Sequence, residues 1–421
     1  MSLTITGFEY YNFRNYATYA QRDLGNLTLF IGPNAVGKTN ILEGLHLTTA
    51  LRSFRNPKTE HLVRFGEQSS YIQTYIGDGD RALDIKLTIQ NNKRTYTLNG
   101  KRRAPSTIRG ILPAVTFIPD DLALIKGPHA QRRTQLDDLG SQLSQNYYAV
   151  MKDYAKIVRQ KNQYLKNLVS PDVLVSINEV LASIGAQYFV MRMRILSELT
   201  PYIQQFYTQI SERDEEVTIS LIPSWLKESV SDDRPFIYDG FHVEHPLSPA
   251  THSTCASSPL QVSSASPATS NIARSTSVSD STQNSQKSTL IKQAVQEELI
   301  HAMEMRGQKE FDRHVSLFGP HADHINVFIN NRNAQQFASQ GQQRSLVLAY
   351  KLAEVALIKD RLNQSPVLLL DDVMSELDAQ RRKSLFTVIS DSVQTFISAT
   401  TLSYFSPEIL EQAHVITLDK E

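Results

Sequence analysis

One loop pattern constrains the fold of this chain more than any other feature. After the β-prone residues 27–31 come two glycines separated by four residues, then a lysine and a threonine, the pattern of a phosphate-binding loop (P-loop). Such a loop turns backbone N–H groups towards phosphate oxygens, and the helix that follows adds partial positive charge. The pattern predicts a nucleotide site formed by Gly32, Pro33, Asn34, Ala35, Val36, Gly37, Lys38, Thr39 and Asn40.

A second pattern supplies the carboxylates that nucleotide hydrolysis needs. The Leu-rich residues 367–370 indicate a buried parallel strand that ends in Asp371 and Asp372, a Walker B pattern. Such a strand is often only structural, but its pairing with a P-loop favours a catalytic role. We therefore predict that Lys38 reaches the β- and γ-phosphates of ATP, that Thr39 and Asp371 hold Mg²⁺, and that Asp372 polarises the attacking water. Lys38, Asp371 and Asp372 are the candidate catalytic residues.

A third element lies shortly before Walker B, at the start of a helical pattern. Residues 339–342 resemble the signature motif of ABC ATPases, and residues 375–378 resemble the D-loop of that family. In that family the signature binds the γ-phosphate held by the P-loop of another subunit. The resemblance therefore implies an ATP-dependent homodimer with composite sites. The residues that it adds to the predicted nucleotide site are Ser339, Gln340, Gly341, Gln342 and Asp378.

The rest of the chain divides into segments of different pattern. Apolar residues alternate at period two over residues 83–98, which predicts an antiparallel hairpin or meander. From 132 to 211 they recur at spacings of three and four, which predicts helices interrupted near Ser170 and Pro171. Residues 249–289 are rich in Ser, Thr, Ala, Pro and Gln. We predict a disordered linker there, because few apolar side chains cannot offset the entropy of ordering.

These patterns predict an α/β fold: an ABC-type ATPase head, made of a P-loop sheet plus an antiparallel β lobe, with an inserted helical arm domain. We expect residues 1–127 to form the N-terminal part of the head and 128–248 the arm. After the linker, 249–289, residues 290–421 are expected to complete the arm and the head. The arm is too short for a long rod, since a helix rises about 1.5 Å per residue and the arm must fold back.

Several local segments resemble the RecF family, the short-armed relatives of SMC proteins. The resemblance covers about 1–225 and 290–421, and it implies that Arg14 reaches the nucleotide phosphates. The segments that carry it are residues 12–16, 38–43, 127–133, 319–321, 338–344 and 370–378.

The resemblance also implies a function. RecF-like proteins dimerise on ATP, bind gapped DNA or single-strand/double-strand junctions, and work with RecR and RecO to favour RecA loading. This role belongs to recombinational repair, replication restart and the SOS response, in the cytoplasm at the nucleoid, with a weak DNA-stimulated ATPase as a switch. The alternatives are another SMC-like or ABC-type subunit, in chromosome organisation or transport, and a nuclease. From the length we expect neither a rod nor a carboxylate-rich domain after Asp378.

The chain departs from the family pattern in three places. His321-Ala322-Asp323-His324 stands where the family usually has His-Arg-Asp-Asp, which puts a phosphate or metal contact there in doubt. Thr400-Thr401 replaces a switch histidine, and since a hydroxyl cannot carry a proton charge, we expect slow hydrolysis. Pro119-Asp120-Asp121 occupies the position of the Q-loop glutamine.

Charge and composition bear on partners. The chain has no net charge, but residues 1–110 carry 15 basic and 8 acidic side chains. We therefore expect DNA to bind to the N-terminal third of the chain. The candidate DNA contacts are Arg52, Arg55, Lys101, Arg102 and Arg103. Cys255 is the single cysteine, which excludes an internal disulfide. The N-terminus lacks a signal pattern and no window reaches eighteen consecutive apolar residues, so we predict no membrane partner.

Overall fold

The computed structural model describes residues 2–226, 279–389 and 393–419. Its strands, in chain order, are β1 Thr4–Phe13, β2 Tyr16–Arg22, β3 Leu27–Ile31, β4 Ser69–Gly77, β5 Ala82–Gln90, β6 Lys93–Leu98, β7 Lys101–Arg103, β8 Ala114–Phe117, β9 Val217–Ile222, β10 His324–Ile329, β11 Arg332–Asn333, β12 Val367–Asp371, β13 Thr395–Ala399 and β14 His414–Thr417. Its helices are α1 Lys38–Thr49, α2 Pro105–Ile108, α3 Ala123–Lys126, α4 His129–Leu143, α5 Gln145–Lys166, α6 Pro171–Ser211, α7 Ser279–Arg313, α8 Ala334–Phe337, α9 Gln340–Leu362, α10 Ala379–Val388 and α11 Pro407–Gln412.

A parallel sheet with the order β14-β3-β13-β12-β8 joins the two ends of the chain. Strand β12 is buried on both faces, which explains its continuous apolar run. Val367 and Leu369 belong to one hydrophobic core, and Leu368 and Leu370 to the other, because successive side chains point to opposite faces. Since all five strands are parallel, their carboxyl ends lie along one edge of the sheet.

An antiparallel sheet with the order β2-β1-β4-β5-β6-β7 covers the opposite side of α1. The strands β5, β6 and β7 follow one another as a meander, with Leu87 opposite Tyr96 and Thr97 opposite Arg102. The period-two prediction for residues 83–98 is thus confirmed. Together, the parallel sheet and this antiparallel lobe confirm the predicted α/β ATPase head.

Helices α4, α5, α6 and α7 form the inserted region. Helices α6 and α4 contact the signature-bearing helix α9, while α5 and α7 pack on α6. Their breaks follow local chemistry: the Ser144 side chain accepts a hydrogen bond from the Tyr147 N–H and begins α5, while Pro171 begins α6. Within the described residues, α6 is the one helix long and apolar enough to cross a membrane. A core helix meets the same criterion, and Leu181, Phe189 and Leu199 on α6 are fully buried.

The predicted C-terminal boundary of the linker, 249–289, is corrected by the structure. Residues 279–289 form the first turns of α7, so the helix begins before the predicted boundary at 290. The remainder of the linker, together with Cys255, lies outside the described residues. A small antiparallel sheet, β11-β10-β9, connects the end of α6 to the segment that precedes α9.

Candidate nucleotide-binding site

The P-loop leaves the carboxyl end of β3 and closes onto the turn between β1 and β2. Gly37 has φ of 116°, and a Cβ there would lie 2.5 Å from the Tyr16 hydroxyl oxygen and 2.7 Å from Asn15 Nδ2. A side chain is therefore excluded by both conformation and space. Asn15 Nδ2 donates to the Val36 carbonyl at 3.1 Å, and Asn40 Nδ2 donates to Asn15 Oδ1 at 2.7 Å. These bonds hold the loop against the turn.

The Lys38 ammonium lies within the loop. Its Nζ donates to the carbonyl oxygens of Gly32 at 2.7 Å and Pro33 at 2.9 Å. Burial lowers the pKa of Lys38, while the charges of Asp372 and Asp371 oppose that effect. The ammonium thus lies in the field of the Walker B carboxylates, where it can neutralise an incoming phosphate.

Asp371 lies at the carboxyl end of β12 and is held by two hydroxyls. Ser398 Oγ on the neighbouring β13 donates to Asp371 Oδ1 at 2.7 Å, and the Thr39 side chain also hydrogen-bonds to this carboxylate. Burial raises the pKa of Asp371, opposed by these hydrogen bonds and by Arg55. Oxygen ligands from Thr39 and Asp371 suit Mg²⁺, which otherwise takes phosphate oxygens and water. No cluster of three or more His, Cys, Asp or Glu suited to a metal occurs among the described residues.

Asp372 has left-handed backbone geometry, with φ of 55°. Its N–H donates to Ser398 Oγ at 2.9 Å, so Ser398 holds both Walker B residues. Sequence reasoning missed Ser398. Its position at the end of an apolar strand, beside the predicted switch position, was the available signal.

Arg14 lies beside α1 rather than in open solvent. Its Nε and Nη2 donate to the two carboxylate oxygens of Glu43 at 2.8 and 2.7 Å, and its Nη1 donates to the His61 carbonyl at 2.8 Å. Glu43 is fully buried and also accepts a hydrogen bond from Ser53. The sequence offered no signal for Glu43 beyond its place in the P-loop helix. The predicted phosphate contact of Arg14 stays a prediction.

The five candidate DNA cations fall into two groups. Lys101, Arg102 and Arg103 are exposed on β7, the edge strand of the antiparallel sheet. Arg52 instead forms an ion pair with Asp138 on α4, and Arg55 Nη1 donates to Asn40 Oδ1 at 2.9 Å. Arg55 therefore faces the P-loop, whereas the β7 cations are exposed and their contact with DNA stays a prediction.

The signature residues cap α9 and leave its N-terminus accessible. Ser339 Oγ accepts from the Gln342 N–H at 3.2 Å, and Gln342 Oε1 accepts from the Ser339 N–H at 2.9 Å, a reciprocal capping box. Ser339 and Gln340 are exposed. The remaining N–H groups of this long helix offer partial positive charge to an anion.

The predicted D-loop residue lies beside the signature. Asp378 accepts from the Arg381 N–H at 2.9 Å, and Arg381 Nη2 donates to the Gly341 carbonyl at 2.8 Å. A cavity of about 200 Å³ opens here between the signature, the D-loop and the end of α6. Its lining, taken from the described residues, includes no P-loop residue. The signature and D-loop residues thus line a cavity apart from the P-loop, and among the described residues no hydrogen bond or ion pair joins Ser339, Gly341 or Gln342 to the P-loop.

The three departures from the family pattern have structural roles. Thr401 Oγ1 accepts from the Ser403 N–H at 3.2 Å and caps the turn at residues 402–404. Asp323 is fully buried, accepts from the Ser224 N–H at 2.9 Å and lies 3.9 Å from Arg192. Asp121 lies in the turn that follows β8 and contacts α9.

A parallel sheet with a P-loop, a Walker B strand and a signature helix, joined to an antiparallel lobe and a helical insertion, defines an ABC-type ATPase head of the SMC-like class. Comparison with known proteins narrows this class. The sequence profile of the RecF/RecN/SMC N terminal domain family matches residues 4–417.

Curated relatives agree over almost the whole chain. "DNA replication and repair protein RecF" of Streptococcus uberis is 32% identical over 411 residues, covering 96% of this chain and 95% of the relative. The protein of the same name from Lactobacillus johnsonii is 30% identical over 420 residues, covering 98% and 96%. The chain belongs to the RecF family.

Solved structures give the same result. The recombination mediator protein RecF with ATP, of the RecFOR pathway, superposes with a TM-score of 0.74 at 25% identity, covering 96% of this chain and 94% of that one. A second structure of that protein, with an ATP analogue, gives a TM-score of 0.76 at the same identity and coverage.

Proposed function

We propose that this chain is an ATP-dependent DNA-binding protein of recombinational repair. In this proposal two copies close around ATP on gapped DNA or at single-strand/double-strand junctions, where they favour loading of a RecA-type recombinase with RecR and RecO. The observation that carries the proposal is the separation of the site: P-loop and Walker B residues meet at the sheet edge, while Ser339 presents the N-terminus of α9 elsewhere. A second copy is needed to bring these surfaces together.

The chemistry of the P-loop half follows from its contacts. Lys38, which donates to the Gly32 and Pro33 carbonyls, would bind phosphate oxygens, and Thr39 and Asp371 would hold Mg²⁺. The bound Mg²⁺ would neutralise charge on the phosphates. Asp372 accepts a hydrogen bond from the attacking water and orients it. Hydrolysis is slow because Thr400-Thr401, whose hydroxyls cannot carry a proton charge, stands where a switch histidine would act.

The names of the relatives support the biological setting. "DNA replication and repair" and "recombination mediator protein" describe those proteins, and the RecFOR pathway in a structure of RecF supports RecR and RecO as partners here. The exposed cations of β7 supply contacts to the DNA backbone with little base readout. A cytoplasmic, nucleoid-associated location fits this role.

Sedimentation of the full chain tests the proposal. We expect ATP to shift the protein from monomer to dimer, and gapped DNA to strengthen the shift. Lys38→Ala should abolish the shift, because the cation that neutralises the β- and γ-phosphates is lost. Lys58→Ala is the matched control, since Lys58 is exposed and forms an ion pair with the exposed Glu60. A Lys38→Ala protein that dimerises normally with ATP contradicts the P-loop assignment.

A further inference from the structure

A buried ammonium links the signature helix to the nucleotide-binding sheet. Lys351 lies on α9, roughly three helical turns after Gly341, and its side chain is 1% exposed. Its Nζ is 3.2 Å from Asp121 Oδ1 and 3.6 Å from Glu354 Oε2. The charges of both carboxylates outweigh the effect of burial and raise the pKa of Lys351. The side chain is therefore a buried cation.

The Asp121 end of this contact is fixed to the sheet. Asp121 lies in the turn Pro119–Leu122, directly after β8, and its Oδ2 accepts from the Ile118 N–H at 2.9 Å. Strand β8 is the parallel neighbour of β12, with Phe117 opposite Leu370, the residue before Asp371. The turn is thus one strand away from the Walker B carboxylates.

The Glu354 end reaches the helical insertion. Gln135 Nε2 on α4 donates to Glu354 Oε1 at 2.8 Å, and burial raises the pKa of Glu354 to about 7. Within the described residues, neither Lys351 Nζ nor Glu354 Oε2 forms a hydrogen bond of good geometry. The interaction between these two side chains is therefore mainly electrostatic. The cluster joins the sheet, α4 and α9 at one buried point.

Stability alone does not account for a lysine at this position. A buried ion pair is expensive to desolvate, and apolar residues of similar volume are often neutral or stabilising in its place. A charge pair does, however, fix the position of α9 along the sheet, because the attraction falls as the helix shifts. The signature residues at the start of α9 move with the helix.

We propose that Lys351, through Asp121, is a positioning residue that fixes the signature helix of its own subunit for the nucleotide site of the other subunit. This inference rests on the proposed ATP-dependent dimer. Because each site combines two subunits, a substitution at Lys351 affects the two sites differently. It leaves the P-loop of the same subunit intact. It impairs the site on the other subunit, which the signature of the substituted subunit completes.

The first test uses Lys351→Met, which keeps the length of the side chain and removes its charge. ATP binding to the monomer, measured by calorimetry, should be unchanged. The ATP-dependent dimerisation constant should fall by about 5-fold to 150-fold, the usual range of coupling between sites. Lys351→Arg should retain most dimerisation because it keeps the charge. An equal loss of monomer ATP affinity, or unchanged dimerisation, overturns the proposal.

Because removing one partner of a buried pair can unfold a protein, the double variant Asp121→Asn/Lys351→Met serves as the second test. It removes both members of this pair, while Glu354 keeps its hydrogen bond from Gln135 and, with a pKa that burial raises to about 7, can take up a proton. We expect thermal unfolding near that of the parent with dimerisation still impaired. A folded double variant that dimerises like the parent overturns the proposal.

Mixing variants then separates this role from a general defect. Lys351→Met mixed with Lys38→Ala should recover ATP-dependent heterodimers, because one site has an intact P-loop and an intact signature. Lys351→Met mixed with Ser339→Arg should not recover, since both signatures are impaired. Recovery in the second mixture overturns the positioning role. Failure of the reference mixture, Lys38→Ala with Ser339→Arg, would instead contradict the proposed composite dimer.

Discussion

The guanidinium of Arg14 is bound at two points by the carboxylate of Glu43, at 2.8 and 2.7 Å, beside the P-loop helix. This contact fixes the orientation of Arg14, whose Nη1 donates to the His61 carbonyl. We propose that Arg14, held in this way, reaches the nucleotide phosphates with little further loss of side-chain entropy.

We expect Arg14→Ala to weaken ATP binding by about 10-fold to 100-fold, the effect of losing a hydrogen bond to a charged group. Glu43→Gln should weaken it less, because Arg14 remains but is less firmly oriented. Calorimetric titration with ATP measures both. Arg22→Ala, which removes an exposed arginine paired with Glu9, should have no effect. Unchanged affinity in Arg14→Ala would leave Arg14 with a structural role only.

Asp372→Asn should separate binding from hydrolysis. Asparagine tolerates the left-handed backbone at this position, so the substitution removes charge without adding strain. The turnover rate should fall by about 10²-fold to 10⁴-fold, the usual contribution of a general base, while ATP affinity is retained and the dimer persists longer. Phosphate release and sedimentation report the two effects. Normal turnover would remove Asp372 from the role of base.

Ser339→Arg should prevent closure of the dimer while ATP still binds the monomer. The substitution puts bulk and positive charge at the exposed start of α9, and it also removes a helix cap worth about 1 kcal/mol. Ser144→Ala is the matched control, because it removes the cap of α5 away from the signature. If Ser339→Arg hydrolyses ATP and dimerises like the parent, the signature does not act in trans.

Replacement of Lys101, Arg102 and Arg103 by glutamine should weaken duplex DNA binding. The slope of log K against log salt should decrease by about 0.9 for each lost phosphate contact. Binding titrations at several salt concentrations measure it. The control replaces three exposed cations on α5, Lys156, Arg159 and Lys166. An unchanged affinity and slope in the β7 variant would exclude β7 from the DNA site.

Asp323 should make stability depend on pH. Burial raises the pKa of Asp323 to about 7 from an ordinary 3.8, although Arg192 opposes this. As pH rises from about 4 to 7, the unfolded chain loses this proton before the folded one, so the contribution of Asp323 to stability falls. Burial lowers the pKa of His321 to about 4, and its contribution has the opposite sign.

The comparison of the parent with Asp323→Asn isolates the carboxyl group, since His321 is present in both. The unfolding free energy of the parent relative to the variant should fall with pH by at most about 1.4 kcal/mol per pH unit, and level off above pH 7. Urea unfolding at pH 4 to 8 measures it. A difference that does not vary with pH would show that Asp323 is ionised throughout.

Patterns in neighbouring residues predicted much of the head. The spacing of Gly32, Gly37 and Lys38 indicated the strand, loop and helix, and the run before Asp371 indicated a strand buried on both faces. The meander over residues 83–98 and the helices after residue 132 followed from their periods. Each of these features depends on side chains close in sequence, whose spacing matches the geometry of one element.

Only the tertiary structure decided which distant side chains meet. Ser398 holds Asp371, Glu43 holds Arg14, and Lys351 reaches Asp121, yet no spacing in the sequence indicates any of these contacts. Arg55 lies at the P-loop rather than with Lys101 for the same reason. Local periodicity determines which face of an element is apolar, but the packing of two cores around one sheet determines which polar groups are buried together. A buried charge must then find its partner wherever the fold places one.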